Sequence, residues 1–404
     1  MKAFARFSAC QARFGARHAR ALTFGAVAAA SLGVALMSTS TTVDAHKAKT
    51  SPYSYNVDIF PLLRDNCGRC HVDGGPAPMS LMTYDKDGGA TAWAESIREM
   101  LLAGAMPPWY ADPTGPAVRN NHSLTPRELD KVITWATGGT PHGDLAMTLP
   151  TVVARKEWAG GKPDAELPMP QPYTMGPGVM QASADITVPT TFTEAKWVKA
   201  VDLMPGITSM VRRAYISIDG GPVLNVWEPG DDAVNPPSGA AFKIAPGAKI
   251  HLKIDYKKSW QDEQKALVDT SVLGLYFTEE PLSGKSIESI TIDGPKSEVG
   301  GAAPLSFSGT MKTGGRVVAL RPMLDTAYAS VEITAVAASG RKVTLLKMRN
   351  PRPEWPRRYW LVDPIELPPN TKLEVSMLPG DPDIGPLGKT ESFALQVGLD
   401  IVPQ

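Results

Sequence analysis

The chain has 404 residues, 43% of them hydrophobic and 20% charged, with 41 basic against 41 acidic side chains. That mixture excludes a disordered chain and a multi-span membrane protein, and the length exceeds one small core, so two or three domains are expected. The 37 prolines and 36 glycines point to many turns and short elements, as in an all-β chain.

Residues 1–45 read as a signal peptide. Lys2, Arg6, Arg13, Arg17 and Arg20 form a basic region without an acid, an apolar stretch runs from Ala21 to Met37, and Val43-Asp44-Ala45 is a cleavage site of the small-x-Ala type. The apolar stretch is short and rich in alanine and glycine, so cleavage after Ala45 is expected, with an uncleaved N-terminal anchor as the alternative. No transmembrane segment is expected after the leader, and the expected location is the periplasm. Cleavage leaves 36 basic against 40 acidic residues, which suggests neither nucleic acid nor an anionic membrane as partner.

Of the three cysteines, Cys10 lies in the leader, so the exported chain keeps Cys67 and Cys70. Cys67-Gly68-Arg69-Cys70-His71 has the spacing for covalent haem. Two thiols add to the two vinyl groups of one porphyrin, and the adjacent imidazole meets the iron as proximal ligand. A zinc site would need ligands that no further cysteine supplies, and no βαβ-type strand precedes the pair as a thioredoxin-like motif requires. One covalent haem c is therefore expected.

Ile59, Phe60, Leu62 and Leu63 give a short helix its apolar face just before the motif. Thr91 to Ala103 reads as a second helix, with Trp93, Ile97, Met100 and Leu101 at helical spacing. The last helix has Ser123 or Thr125 as N-cap, Pro126 in its first turn, Glu128 beyond it and Gly138-Gly139 as its stop. Its Leu129, Val132, Ile133 and Trp135 would pack across the first helix. With the haem motif, these elements resemble a small class I cytochrome c domain over residues 53–145, and the all-α domain so implied is bounded at 46–148. The resemblance also implies Met106, in Met106-Pro107-Pro108-Trp109, as distal iron ligand. Met/His ligation raises the reduction potential and suits electron transfer. His122 or an open sixth position is the alternative; Met79 and Met82 lie close behind His71, and Met100 falls on the apolar face of its helix.

Residues 149–182 read as a linker. Beyond it, alternating segments separated by turns run through Trp197–Val201, Met210–Ile218, Lys249–Tyr256, Val272–Phe277, Ile287–Ile292, Val317–Leu320, Ala329–Val336, Lys342–Met348, Tyr359–Val362, Leu373–Leu378 and Phe393–Ile401. They imply two β-sandwiches, 183–283 and 284–404, divided near Pro281–Lys285. Several landmarks carry a further resemblance: Trp158 to Asp164, Lys196-Trp197-Val198 leading towards Met204-Pro205-Gly206, Val272 to Phe277, Trp360 to Pro364 and Leu367 to Thr371. In these the chain resembles the copper type II, ascorbate-dependent monooxygenases of the peptidylglycine α-hydroxylating kind, which implies jelly-roll-like sandwiches. Bacterial members of that family often carry a cytochrome c domain in front.

The family's copper ligands are missing. Arg212-Arg213 stands where the resemblance implies a His-His pair, Asp255-Tyr256 where it implies His-Tyr, and Pro322-Met323-Leu324-Asp325 where it implies His-x-His. Glu391-Ser392-Phe393-Ala394-Leu395 supplies no methionine. Beyond residue 150 the one histidine is His251, so a working two-copper centre is not expected. His251 falls on the outer face of its strand, exposed or hydrogen-bonded. Strict alternation lets only one of Arg212 and Arg213 face the old cleft, in a salt bridge with Asp255 or Asp325 or in an anion or partner contact. Trp355 and Trp360 read as core, and Arg352, Arg357 and Arg358 as a solvated basic edge. The expected function is a periplasmic electron carrier with no catalytic residues, its β module docking or scaffolding a redox partner or a paralogous monooxygenase subunit. The alternative is a haem-containing copper monooxygenase, or an accessory subunit of one.

Overall fold

The computed structural model describes residues 50–85, 88–231, 236–237, 239–296, 303–338, 340–380 and 394–404. The expected leader with Cys10, and Glu391 to Phe393, lie outside the described residues.

Among the described residues, eighteen β-strands stand against three α-helices: α1 (Phe60–Asn66), α2 (Ala94–Leu102) and α3 (Pro126–Thr137). A π turn at Tyr55–Ile59 leads into α1. This corrects the expectation of a small all-α class I cytochrome c domain ahead of two jelly-roll-like sandwiches. The fold is mostly β, and Thr50–Gln404 forms one compact unit with no separate helical domain. The stretch between α2 and α3 shows why. Asp112 N donates to Lys347 O at 2.8 Å and Arg119 N to Trp360 O at 2.8 Å, while Tyr110 and Ala111 sit in the core of the last strands. The helices keep a small core around Tyr55, Phe60 and Trp135, but the segment that joins α2 to α3 is bonded to the last strands, so the helices do not stand apart as a domain.

The helices form where local chemistry favours them. Thr125 Oγ1 accepts from Glu128 N at 3.3 Å and Glu128 Oε2 accepts from Thr125 N at 2.8 Å, closing a capping box with Pro126 next to it. Gly138 ends α3, which buries Val132 and Trp135 against Tyr55, Ile59 and Phe60. Thr125→Ala is expected to cost about 1 kcal/mol, read as a lower urea midpoint; an unchanged midpoint would show that tertiary packing alone sets this helix.

The strands form four four-stranded sheets and one pair. In the first half, β3 (Gln181–Pro189), β8 (Lys249–Lys257), β5 (Val211–Ile218) and β6 (Val223–Trp227) lie in that order. Next come β1 (Ala165–Pro168), β10 (Val272–Thr278), β4 (Lys196–Met204) and β7 (Phe242–Ile244), while β2 (Tyr173–Met175) pairs with β9 (Leu267–Asp269). Ile250, Leu252, Ile254 and Tyr256 of β8 share one core with Leu273 and Leu275 of β10. In the second half, β11 (Glu288–Asp293), β18 (Gln396–Pro403), β13 (Gly315–Met323) and β16 (Tyr359–Leu367) form one sheet. The other is β12 (Leu305–Met311), β17 (Thr371–Pro379), β14 (Tyr328–Val336) and β15 (Lys342–Arg349). Val331, Ile333, Val375 and Leu399 lie in the core between them. The residues read as a linker, 149–182, contribute β1, β2 and the start of β3, strands too short or too polar to signal themselves.

Candidate functional site

The turn after α1 sets the site. Cys67 N donates to Leu63 O at 2.8 Å, and His71 N to Cys67 O at 2.9 Å. A Cβ on Gly68 would stand 2.5 Å from the Arg64 carbonyl, so this tight turn needs a residue without one. The turn brings Cys67, Cys70 and His71 to the wall of one cavity of about 910 Å³, towards the top of the usual range for small-molecule sites. Met106 lines the same cavity, as do Met79, Met100 and His122. The apolar wall includes Leu63, Leu81, Ile97, Leu101 and Val132.

The opposite wall comes from the first β half. The loop after β6 grips the motif: Arg69 Nη1 donates to Gly230 O at 2.5 Å, and Cys70 Sγ lies 3.7 Å from Pro229 O. Thr208 Oγ1 donates to Gly74 O at 2.6 Å. Arg212, Arg213, Asp255 and Tyr256 line the cavity too, so the Cys67–His71 motif shares a single space with three positions where the resemblance implies copper ligands. Nothing in the linear order of these residues signals it.

Both arginines reach the cavity because strict alternation fails. The β5–β8 register runs Val211↔Tyr256 and then Arg213↔Asp255, leaving Arg212 as the extra residue of a β-bulge. Arg213 Nη2 lies 2.5 Å from Asp255 Oδ2, one of the two ion pairs expected. Asp325 instead accepts from Tyr328 Oη at 2.9 Å, and Met323 Sδ accepts from Gln396 Nε2 at 3.0 Å, both away from the cavity. His251 is half-buried on β8, with Nε2 3.4 Å from Asp185 Oδ1. Among the described residues, no cluster of three His, Cys, Asp or Glu is arranged to hold a metal ion.

The expected solvated basic edge is corrected. Arg352 and Arg358 are buried at 4% and 5% exposure, and the Arg357 side chain at 10%. Arg357 pairs with Glu228, and with Asp231 at 2.8 Å. Burial raises Glu228 and the Arg357 guanidinium pulls it part of the way back, to about 7; burial lowers Arg357, but Glu228 and Asp231 outweigh it and raise it. Sequence reasoning missed Glu228 and Asp231, because Trp227-Glu228-Pro229-Gly230-Asp231 reads as an ordinary turn.

The residues fit a covalent haem. Cys67 and Cys70 are free thiols, each pushed up to about 12 by burial. Burial also lowers His71, more than the nearby Met79 carbonyl raises it, which favours the neutral ring that a metal ligand needs. Several buried polar atoms on the cavity wall make no hydrogen bond: His71 Nδ1, Trp109 Nε1, Arg212 Nη1, Glu228 Oε1, Trp355 Nε1 and Arg357 Nε. Buried polar groups normally find partners, so their clustering around one cavity marks a place built for a polar-edged occupant.

No family model matches the chain, and no curated protein sequence matches it. Among solved structures, the chain is similar to the major capsid protein P2 from bacteriophage PM2, at 10% identity and a TM-score of 0.28, covering 59% of this chain and 97% of that one. It is also similar to a Paenibacillus xanthan lyase, at 10% identity and a TM-score of 0.17, covering 66% of this chain and 28% of the lyase. Likenesses this low bear on no functional argument. Among the described residues, no helix is long and apolar enough to cross a membrane.

Proposed function

We propose that this chain is an exported, periplasmic monohaem c-type cytochrome that transfers single electrons, with its β halves acting as a docking or scaffolding element. One observation carries the reading: Cys67, Cys70 and His71 converge on a single large cavity ringed by unsatisfied polar atoms. Cys67 and Cys70 would hold the porphyrin through thioethers, and His71 and Met106 would ligate its iron. When bound, haem supplies reversible one-electron exchange. The apolar wall excludes water, and the loop after β6 fixes the motif through Arg69. The resemblance to ascorbate-dependent copper monooxygenases enters as a β scaffold whose metal positions hold Arg212, Arg213 and Asp255, a set unsuited to copper. The partner on this reading is a redox protein or a paralogous monooxygenase subunit.

A haem and copper count on exported protein, followed by anaerobic redox titration, tests the reading. One haem per chain, reversibly reduced and reoxidised, is the expected outcome. Two nitrogen-coordinated coppers per chain would establish a monooxygenase instead, and a haem that cannot be cycled would overturn electron transfer.

A further inference from the structure

Six basic side chains line the cavity: Arg69, Arg212, Arg213, Lys257, Lys258 and Arg357. Among the described residues, four acids oppose them, Glu228, Asp231, Asp255 and Glu354. Most of the cations are already engaged. Arg213 is tied to Asp255, Arg357 to Glu228 and Asp231, and Arg69 to the Gly230 carbonyl. Lys258 Nζ donates to the carbonyls of Gly176 at 2.6 Å and Lys265 at 2.5 Å.

Arg212 differs. The bulge turns it into the cavity, no carboxylate among the described residues pairs with it, and its Nη1 is buried without a hydrogen-bond partner. A guanidinium buried without a counter-ion is costly, and its planar fork is shaped to grip a carboxylate through two parallel bonds. We infer that Arg212 binds a propionate of the haem, an assignment that rests on the haem reading above. One haem brings two carboxylates to be compensated. In protoporphyrin IX each vinyl-bearing pyrrole neighbours a propionate-bearing one, so a thioether and a carboxylate share a side of the ring. Arg212 and Cys70 line the same cavity, which suits that arrangement. Burial also brings the guanidinium down to about 10, the response of a cation that has lost water without gaining an anion from the protein.

The test compares wild-type, Arg212→Lys and Arg212→Gln holoproteins by haem count and by anaerobic potentiometry between about pH 5 and 8. Removing the cation leaves the carboxylate charge uncompensated and favours ferric iron. Arg212→Gln is expected to shift the reduction equilibrium about tenfold towards the oxidised form, about 59 mV for one electron. Its potential also acquires a fall with rising pH, because a carboxylate deprived of its cation titrates about 1–3 pH units higher. The neighbouring acids Glu228, Asp231, Asp255 and Glu354, and His122 on the same wall, are common to all three proteins and cancel in the comparison. Arg212→Lys keeps the charge and recovers most of the wild-type potential; Arg212→Met serves if the glutamine variant does not accumulate. An unchanged potential and pH profile in the neutral variant overturns the assignment of Arg212 alone. Wild-type protein without covalent haem overturns the haem reading, and this assignment with it.

Discussion

The double variant Cys67→Ser, Cys70→Ser is expected to release all of its porphyrin into acidified acetone, where the wild type retains one per chain. A haem held only by its iron ligands and by apolar contacts leaves when the fold is denatured, whereas a thioether survives denaturation. Each single variant keeps one thioether, so its porphyrin stays with the polypeptide while one vinyl group remains conjugated and moves the reduced absorption bands to longer wavelength. Position matters less than number, because both thiols open on the same cavity. His71→Ala separates attachment from ligation: its porphyrin stays on the chain, and the low-spin spectrum is lost with the imidazole. Free porphyrin from denatured wild-type protein would remove the basis of the proposed function, and retention by the double serine variant would locate the attachment elsewhere.

How much of this could be read from the sequence depends on how local each determinant is. The capping box at Thr125 and Glu128, and Gly138 as the end of α3, are written in neighbouring residues, and the structure has them where that reading puts them. Strands appear in all eleven alternating segments, because period-two burial shows wherever one face is apolar, as from Ile250 to Tyr256. Other strands escaped: β7 and β9 have three residues each, and β12 alternates serine and threonine with few large apolar groups. The all-α expectation failed for a nonlocal reason, since helical periodicity says nothing about whether the loop between two helices is bonded to strands more than two hundred residues away. The site was legible in pieces. Its motif was plain and Arg213–Asp255 was one of the pairings open, but the bulge that carries Arg212 into the same space depends on the pairing of β5 with β8 and leaves no mark on either strand alone.

The largest stability effect is expected at Asp400. This carboxylate on β18 is fully buried, with Arg321 Nε 3.1 Å and Arg358 Nε 2.9 Å from its Oδ2, and Ser289 Oγ donating to Oδ1 at 2.6 Å. Two guanidiniums thus depend on one anion. Arg358 spreads its remaining charge onto the Leu224 carbonyl, at 2.5 Å, and over the rings of Phe242 and Trp360, tying the two β halves together. Even so, burial holds Arg358 down to about 10. Asp400→Asn keeps the shape and removes the charge, leaving two buried cations uncompensated, and is expected to cost about 3–5 kcal/mol, read as a much lower urea midpoint at pH 7. Burial alone would raise the Asp400 pKa, but Arg358 and Arg321 outweigh it and hold the carboxyl below its ordinary range. A depressed folded pKa means that the stabilisation is present above the unfolded value of about 4 and is lost as pH falls through the folded one. The wild-type midpoint should therefore drop steeply below about pH 4, while the asparagine variant, already without that charge, should show a shallower fall. Parallel acid profiles in the two proteins would mean that the arginines are compensated by something other than Asp400, and the account of how the β halves are joined would have to change.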